Sequence, residues 1–140
     1  MAVLTKDTAR TYEAGVEPII NDITAAASTT VFEGACLEAE SGEVSGYDGT
    51  GATGFAGFAL RGIVSTATGG ETVRTVSRGV VELAVVGAGA TSVGEIVLAA
   101  TDDNTFTLTT GSNMPIGKVL RHVTGTTCMV YFEADALASR

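Results

Sequence analysis

Short runs of alternating apolar and polar residues fill the second half of the chain, and each is bounded by glycine, asparagine or aspartate. A period of two is typical of β-strands, whereas a helix repeats its apolar positions every 3.6 residues. The pattern predicts strands at these runs: Glu71–Arg78, Gly79–Val86, Gly94–Ala100, Thr105–Thr110, Pro115–Val123 and Thr126–Ala134. Their spacing of about ten residues favours an all-β fold, a small β-sandwich or barrel-like domain.

The first half of the chain predicts fewer strands. Val31–Glu38 and Phe55–Val64 have the β-type pattern, and Gly57 and Gly62 indicate a bulge or a close approach of two backbones. Between them, Gly42–Gly54 contains five glycines and no periodicity. A segment of this kind has little apolar area to bury, so we expect a surface loop there.

Two turns and one irregularity stand out. Asp102–Asn104 separates two β-type runs and predicts a hairpin, and Thr124-Gly125 predicts another between the last two strands. Val73 and Val76 fall on opposite faces of a regular strand. This break in alternation predicts a bulge, or a strand that is buried on both faces.

The N-terminal residues 1–15 show neither a helical stripe nor clean alternation. They carry isolated apolar residues at Val3, Leu4 and Tyr12. We interpret them as an extended arm in front of a single β-domain over residues 16–140, a length that suits one domain. Local composition fits a disordered tail equally well.

Residues 16–27 allow two interpretations. Pro18 followed by Ile19, Ile20, Ile23 and Ala27 fits one face of a short helix with proline in its first turn. The paired isoleucines also suit a short strand, in which Asn21-Asp22 forms a turn. We favour the strand and turn.

Composition narrows the possible partners. The formal net charge is -8, and only 8 residues are lysine or arginine. Nucleic-acid binding needs clustered basic residues, so nucleic acid is not an expected partner. We find no apolar run long enough to span a membrane and no signal-peptide core near the N-terminus. Mean hydropathy is nevertheless positive, at +0.32, which fits either burial between subunits or a valine-rich core.

Residues that could carry chemistry are few. His122 is the single histidine, with no adjacent nucleophile or ligand set, and we expect it at a surface or strand edge. Gly87–Ser92 resembles a dinucleotide-binding fingerprint but lacks its third glycine. Gly111–Val119 resembles a phosphate-binding loop, but Val119 replaces the serine or threonine that would hold magnesium. Asp102 and Asp103 fit a turn better than a calcium loop. The sequence therefore predicts no catalytic, cofactor or metal site, and a protein that is not an enzyme.

The two cysteines, Cys36 and Cys128, each lie within an apolar run. Two cysteines do not form a disulfide framework, and no secretion signal accompanies them. We expect both to be buried thiols that pack as small hydrophobic side chains.

A set of short segments resembles a known family, the decoration or cement proteins of tailed-bacteriophage heads. The resemblance covers residues 30–133, and these segments carry it: Gly34–Leu37, Phe55–Leu60, Gly70–Val73, Gly79–Val81, Val93–Leu98, Ile116–Leu120 and Val130–Phe132. It implies a compact β-domain behind an extended arm, assembled as a homotrimer on the outer surface of the capsid, where it bridges major capsid proteins. The implied location is the virion, after assembly in the host cytoplasm.

On this reading the arm contacts the capsid, and Val3, Leu4, Thr5 and Tyr12 are its predicted binding residues. An extended arm can add a strand to an exposed sheet edge, and its apolar side chains fill pockets there. The alternative is a ligand- or glycan-binding β-module of a virion that acts in host attachment. The absence of tryptophan and an aromatic content of 6% count against that alternative.

Overall fold

The all-β prediction is confirmed in the computed structural model, which describes residues 2–50 and 54–136. This part of the chain contains no helix and therefore none that is long and apolar enough to cross a membrane. Its strands are β1 (Ile19–Thr24), β2 (Thr30–Val31), β3 (Cys36–Glu40), β4 (Glu43–Gly46), β5 (Gly54–Ala59), β6 (Ile63–Val64), β7 (Thr72–Ala84), β8 (Ile96–Ala99), β9 (Phe106–Thr107), β10 (Met114–Thr124) and β11 (Thr127–Glu133).

One antiparallel sheet curls into a half-barrel. Its strand order is β4-β3-β5-β7-β11-β10-β8-β9, with β1 paired to β7, while β2 and β6 form a separate pair. Two isolated bridges link distant parts of the curl: Ala25 pairs with Val44 of β4, and Val86 pairs with Thr107 of β9. The curvature gives the sheet an inner face that is enclosed by its own strands.

The long strand β7 is the centre of the fold and explains the predicted irregularity. Its register with β1 passes from Val76 directly to Arg78, so Ser77 is the extra residue of a β-bulge. Val73 packs in one core cluster, and Val76 packs in the other together with Val81. The strand is thus buried on both faces, which accounts for Val73 and Val76, whereas the bulge lies beyond them at Ser77.

The core has two parts on either side of β7. The larger cluster holds four phenylalanines with ring centroids 5.0–6.1 Å apart, and these are Phe55, Phe58, Phe106 and Phe132. The smaller cluster is aliphatic and is enclosed by β1, β3, β4, β5 and β7. Aromatic pairs at such distances add to the stability that apolar burial provides.

Both predicted hairpins are present. Asp102–Asn104 connects β8 to β9, and Gly125-Thr126 connects β10 to β11. The predicted burial of Cys36 and Cys128 is also confirmed, since both are free thiols in the core. These features depend on local sequence, which is why the pattern alone could predict them.

Three assignments in the first half are wrong. Asn21-Asp22 is not a turn, because both residues lie within β1 and pair with β7. The predicted strand Val31–Glu38 is divided by a turn into β2 and β3. Phe55–Val64 is likewise divided into β5 and β6. In each case pairing with a distant strand determines where the element ends.

The predicted surface loop Gly42–Gly54 is also wrong in part. Glu43–Gly46 forms β4, and Val44 and Tyr47 are buried. The tight turn before β4 has positive φ at both Ser41 and Gly42, as a type I′ hairpin requires. Residues 51–53 lie outside the described part of the chain.

Candidate functional surface

The N-terminal arm, residues 2–15, runs along the β-domain and is hydrogen-bonded to it. The amide of Thr8 donates to the carbonyl of Glu33 at 2.8 Å, and the amide of Glu13 donates to the carbonyl of Val80 at 2.9 Å. The amide of Glu82 donates to the carbonyl of Thr11 at 2.9 Å. The arm therefore pairs with the second half of β7 and is bound to its own domain at several points.

Arg10 fastens the middle of the arm. Its Nε donates to the Gly34 carbonyl at 2.9 Å, and its Nη2 donates to Oδ1 of Asn104 at 2.8 Å. The guanidinium carbon lies 5.7 Å from the ring centroid of Phe58 and 5.5 Å from that of Phe106, within the range of cation–π attraction. Burial lowers the pKa of Arg10, but an arginine remains charged at physiological pH.

Asp103 holds the start of the arm. Its Oδ1 accepts a hydrogen bond from the Leu4 amide at 3.0 Å, and Nδ2 of Asn104 donates to the Ala2 carbonyl at 3.0 Å. Burial raises the pKa of Asp103, because a charged carboxylate loses hydration in the interior. The predicted hairpin turn thus also anchors the arm.

The four predicted capsid-binding residues lie in two different environments. Val3 is 55% exposed, and Thr5 is exposed beside it. Leu4 is 9% exposed and belongs to the smaller core cluster, and Tyr12 packs against the larger one with its ring 6.3 Å from that of Phe132. The arm in this conformation presents Val3 and Thr5 outward and uses Leu4 and Tyr12 as internal contacts.

The Tyr12 side chain is unusual for a residue that packs against the core. Its hydroxyl is buried and has no hydrogen-bond partner within the described residues. Burial raises the pKa of Tyr12, because ionisation would place an unpaired charge among apolar groups. Tyr12 therefore acts as a neutral packing residue in this position.

A second surface lies on the outer face of β8, β10 and β11. Ile96, Lys118 and Tyr131 are directly opposite one another on three adjacent strands. Ile96 and Tyr131 are 46% and 39% exposed, and Leu120 lies two residues along β10 from Lys118 with 45% exposure. We call these four residues the outer-face patch.

A shallow groove of about 340 Å³ crosses the patch, and Ile96, Lys118 and Tyr131 are among its lining residues. Pro115 and Gly117 form part of its wall, and Glu133 lies at its rim. At Gly117 the strands β10 and β11 approach so closely that a Cβ would overlap the carbonyl oxygen of Tyr131. The sequence contained a signal for this surface, since Ile96 and Tyr131 are apolar residues at outward positions of their strands.

Glu38 is a buried carboxylate at the opposite end of the sheet. It is 4% exposed, and its Oε2 has no hydrogen-bond partner within the described residues. Burial, followed by the negative charges of Asp48 and Glu40, raises the pKa of Glu38 to about 7. A proton is therefore held there over a range in which an exposed glutamate is ionised.

The remaining side chains that could act in catalysis or bind a metal lie apart from one another. Nε2 of His122 lies 2.9 Å from the Gly125 carbonyl at the β10–β11 hairpin. Within residues 2–50 and 54–136, no three histidine, cysteine or acidic side chains are grouped so that they could hold a metal ion.

No protein-family model matches the chain, and no curated protein matches it significantly.

Proposed function

We propose that this protein is a decoration protein of a tailed-bacteriophage head. It binds the outer surface of the expanded capsid, as a homotrimer, and stabilises the shell by bridging major capsid proteins. The segments that resemble the decoration family support this proposal. Several of them coincide with β3, β5, β8 and β10, the strands that build the body of the domain.

The outer-face patch is the observation that carries the proposal. Exposed apolar side chains are common singly, but Ile96 and Tyr131 flank Lys118 in one cross-strand row. Large exposed apolar side chains that share one face of a sheet are typical of a surface that another protein covers. Burying it against a capsid or a second subunit contributes roughly 25 cal/mol for each Å² of apolar area removed from water.

The arm contributes a second contact in this proposal. Because Arg10 and Leu4 are bound to the β-domain, Val3 and Thr5 are presented at a fixed position. A preorganised contact loses less conformational freedom on binding than a mobile one does. Leu4 and Tyr12 then serve the capsid contact by positioning the arm.

Stabilisation of the shell follows from linkage. A ligand that binds only the assembled capsid shifts the equilibrium away from the disassembled one. Three copies of a modest contact in one trimer act together, and their avidity exceeds the affinity of a single subunit. No chemical step is needed for this role.

Co-sedimentation with undecorated, expanded heads tests the proposal. We expect Val3→Asp and Tyr131→Asp each to weaken binding by about tenfold or more, because a buried, unpaired charge is costly. The matched control is Val86→Asp, since Val86 is 54% exposed and belongs to neither the arm nor the outer-face patch. Heads that bind no wild-type protein, or that bind all three variants equally well, would contradict the proposal.

Glycan binding remains the second candidate, because Tyr131 offers an exposed aromatic ring beside a groove. Aromatic rings pack against the apolar faces of sugars, and a polar neighbour such as Glu133 can orient a hydroxyl. A glycan array distinguishes the two functions. Specific sugar binding that Tyr131→Ala abolishes, without capsid binding, favours host attachment.

A further inference from the structure

A larger groove opens at one end of the smaller core cluster. Its volume is about 460 Å³, and its walls come mainly from Ile23, Ala39, Val44, Phe55, Ala56 and Ala134. Asn21 and Ser77 lie at its edge, where Nδ2 of Asn21 donates to Oγ of Ser77 at 3.1 Å. The groove has the size of typical small-ligand or side-chain sites and is predominantly apolar. We call it the mouth groove.

A strand edge borders the mouth groove. Within the described residues β1 pairs only with β7, and its other edge meets β4 through the single bridge at Ala25. Over Ile19–Ile23 this edge leaves backbone N–H and C=O groups without a strand partner. An open edge beside an apolar groove is the arrangement in which an extended peptide adds a strand and inserts alternate side chains.

The charge around the mouth groove indicates which peptide fits. Residues 11–60 contain eight aspartates and glutamates and no lysine or arginine. The strands β1, β3 and β4, which border the groove, all come from this stretch. Asp22 is paired with Arg74, and Glu38 is buried. The negative charge at the groove therefore comes from Glu40 and Glu43 on the β3–β4 hairpin and from Asp135 in its wall. This charge favours a basic partner over a neutral or acidic one.

We propose that the mouth groove and the free edge of β1 bind an extended, basic segment of a partner protein. The segment pairs with β1, inserts an apolar side chain into the groove, and places lysine or arginine near Glu43. This site goes beyond the capsid role, because it uses neither the arm nor the outer-face patch. Its test requires no capsid, so the two proposals fail independently.

A synthetic peptide of sequence Lys-Val-Lys-Val-Ala-Val-Lys, labelled with a fluorophore, is the probe. Fluorescence anisotropy with the full chain is expected to show saturable binding that weakens as salt is added. The same peptide with glutamate in place of lysine should bind at least about tenfold more weakly. In ¹⁵N-edited NMR spectra, the amide shifts should concentrate on Ile19–Ile23 and Val44.

Two variants locate the site. Glu43→Lys reverses a charge beside the groove and should raise the Kd by about fivefold, a typical effect for a partly exposed charge. Glu95→Lys makes the same change at an exposed position next to β8, and its Kd should equal that of the wild type. Ala39→Leu fills the groove and should weaken binding by at least about tenfold, with circular dichroism confirming the fold.

Several results would overturn the proposal. The first is the absence of saturable binding up to about 1 mM peptide. The second is equal binding of the lysine and glutamate peptides, and the third is an equal effect of Glu43→Lys and Glu95→Lys on the Kd.

The chain ends in Leu-Ala-Ser-Arg, outside the described residues, and this sequence also combines an apolar and a basic residue. If truncation after Ala136 tightens peptide binding about tenfold, the chain's own terminus is the occupant and the proposal is wrong. An unchanged Kd supports a partner protein.

Discussion

Single residues determine how closely the strands of this domain pack. Gly117 is the clearest example, because a Cβ there would overlap the Tyr131 carbonyl oxygen on the neighbouring strand. Its φ is not in the left-handed region, so steric contact alone excludes larger residues. The same glycine lies in Ile116–Leu120, one of the segments that resemble the decoration family. The close approach of β10 and β11 explains why that segment has glycine at this position.

We expect Gly117→Ala to lower the free energy of unfolding by about 2–3 kcal/mol, because β10 and β11 must separate to admit the methyl group. Urea denaturation measures this change. Gly89→Ala is the control, since Gly89 has ordinary φ and no atom within 4 Å of an added Cβ. A loss for Gly117→Ala no larger than that of the control would show that the strands can separate at little cost.

Glu38 predicts a pH dependence of stability. Its pKa is about 7 in the folded protein, above that of an unfolded glutamate. Between these values the folded state binds more protons than the unfolded state, so stability falls as pH rises. We expect the free energy of unfolding to fall by on the order of 1 kcal/mol between pH 5 and pH 8, and Glu38→Gln to reduce this fall.

Chemical denaturation at several pH values tests this expectation. Raised pKa values at other buried acids, Asp103 among them, act in the same direction, so the variant is compared with wild type at each pH. Glu95→Gln is the matched exposed control. A Glu38→Gln profile parallel to that of the wild type would contradict the assignment.

At the scale of elements, the arm is a structural part of the domain. Its contacts join residues far apart in sequence: Leu4 and Asp103 are separated by 99 positions, and Arg10 and Asn104 by 94. Hydrogen bonds of this kind order the arm only after the β-domain has formed. Removing them should therefore loosen the arm before it affects the sheet.

We expect Arg10→Ala to destabilise the protein by about 2–3 kcal/mol, because two charge-assisted hydrogen bonds and two ring contacts are lost. Arg10→Lys should restore less than half of this loss, since an ammonium group cannot donate in the same planar geometry. Hydrogen exchange should show faster exchange at Thr8 and Glu13. Lys6→Ala is the control, since Lys6 is an exposed residue of the arm. Unaltered exchange in Arg10→Ala would show that Arg10 does not hold the arm.

Some elements could be predicted from the sequence, and the reasons are physical. The two hairpins depend on turn residues and alternation within a few positions, and both are confirmed. Strand β4 was missed because Val44 and Tyr47 are buried by distant segments, and Gly46 packs directly on Asp103. The division of Phe55–Val64 likewise depends on β7 and β2, which no local pattern specifies.

The candidate surfaces were predictable only in part. The sequence predicts an arm in front of the β-domain, but the internal positions of Leu4 and Tyr12 depend on partners that the sequence does not indicate. The outer-face patch can be predicted once the strands are known, because side chains alternate between the two faces of a strand and Ile96 and Tyr131 occupy outward positions. The mouth groove needs the three-dimensional fold, because five separate strands form its walls.

At the scale of the whole molecule, the candidate functional features are surfaces: the outer-face patch and the exposed tip of the arm. A central strand buried on both faces, an arm hydrogen-bonded to the domain and a two-part core characterise this chain, whose mass is 14.1 kDa. In the proposed function, the outer-face patch and the exposed tip of the arm are the two surfaces that contact the capsid. The proposed trimer would have three times this mass, which light scattering measures directly.

The capsid role is tested most directly by the temperature at which undecorated, expanded heads rupture, with and without the purified protein. We predict that the protein adds to the heads until a fixed stoichiometry is reached and that it raises the rupture temperature. By linkage, the increase should grow with the concentration of protein up to saturation. Heads that rupture at the same temperature and retain no protein after sedimentation would contradict the proposed function.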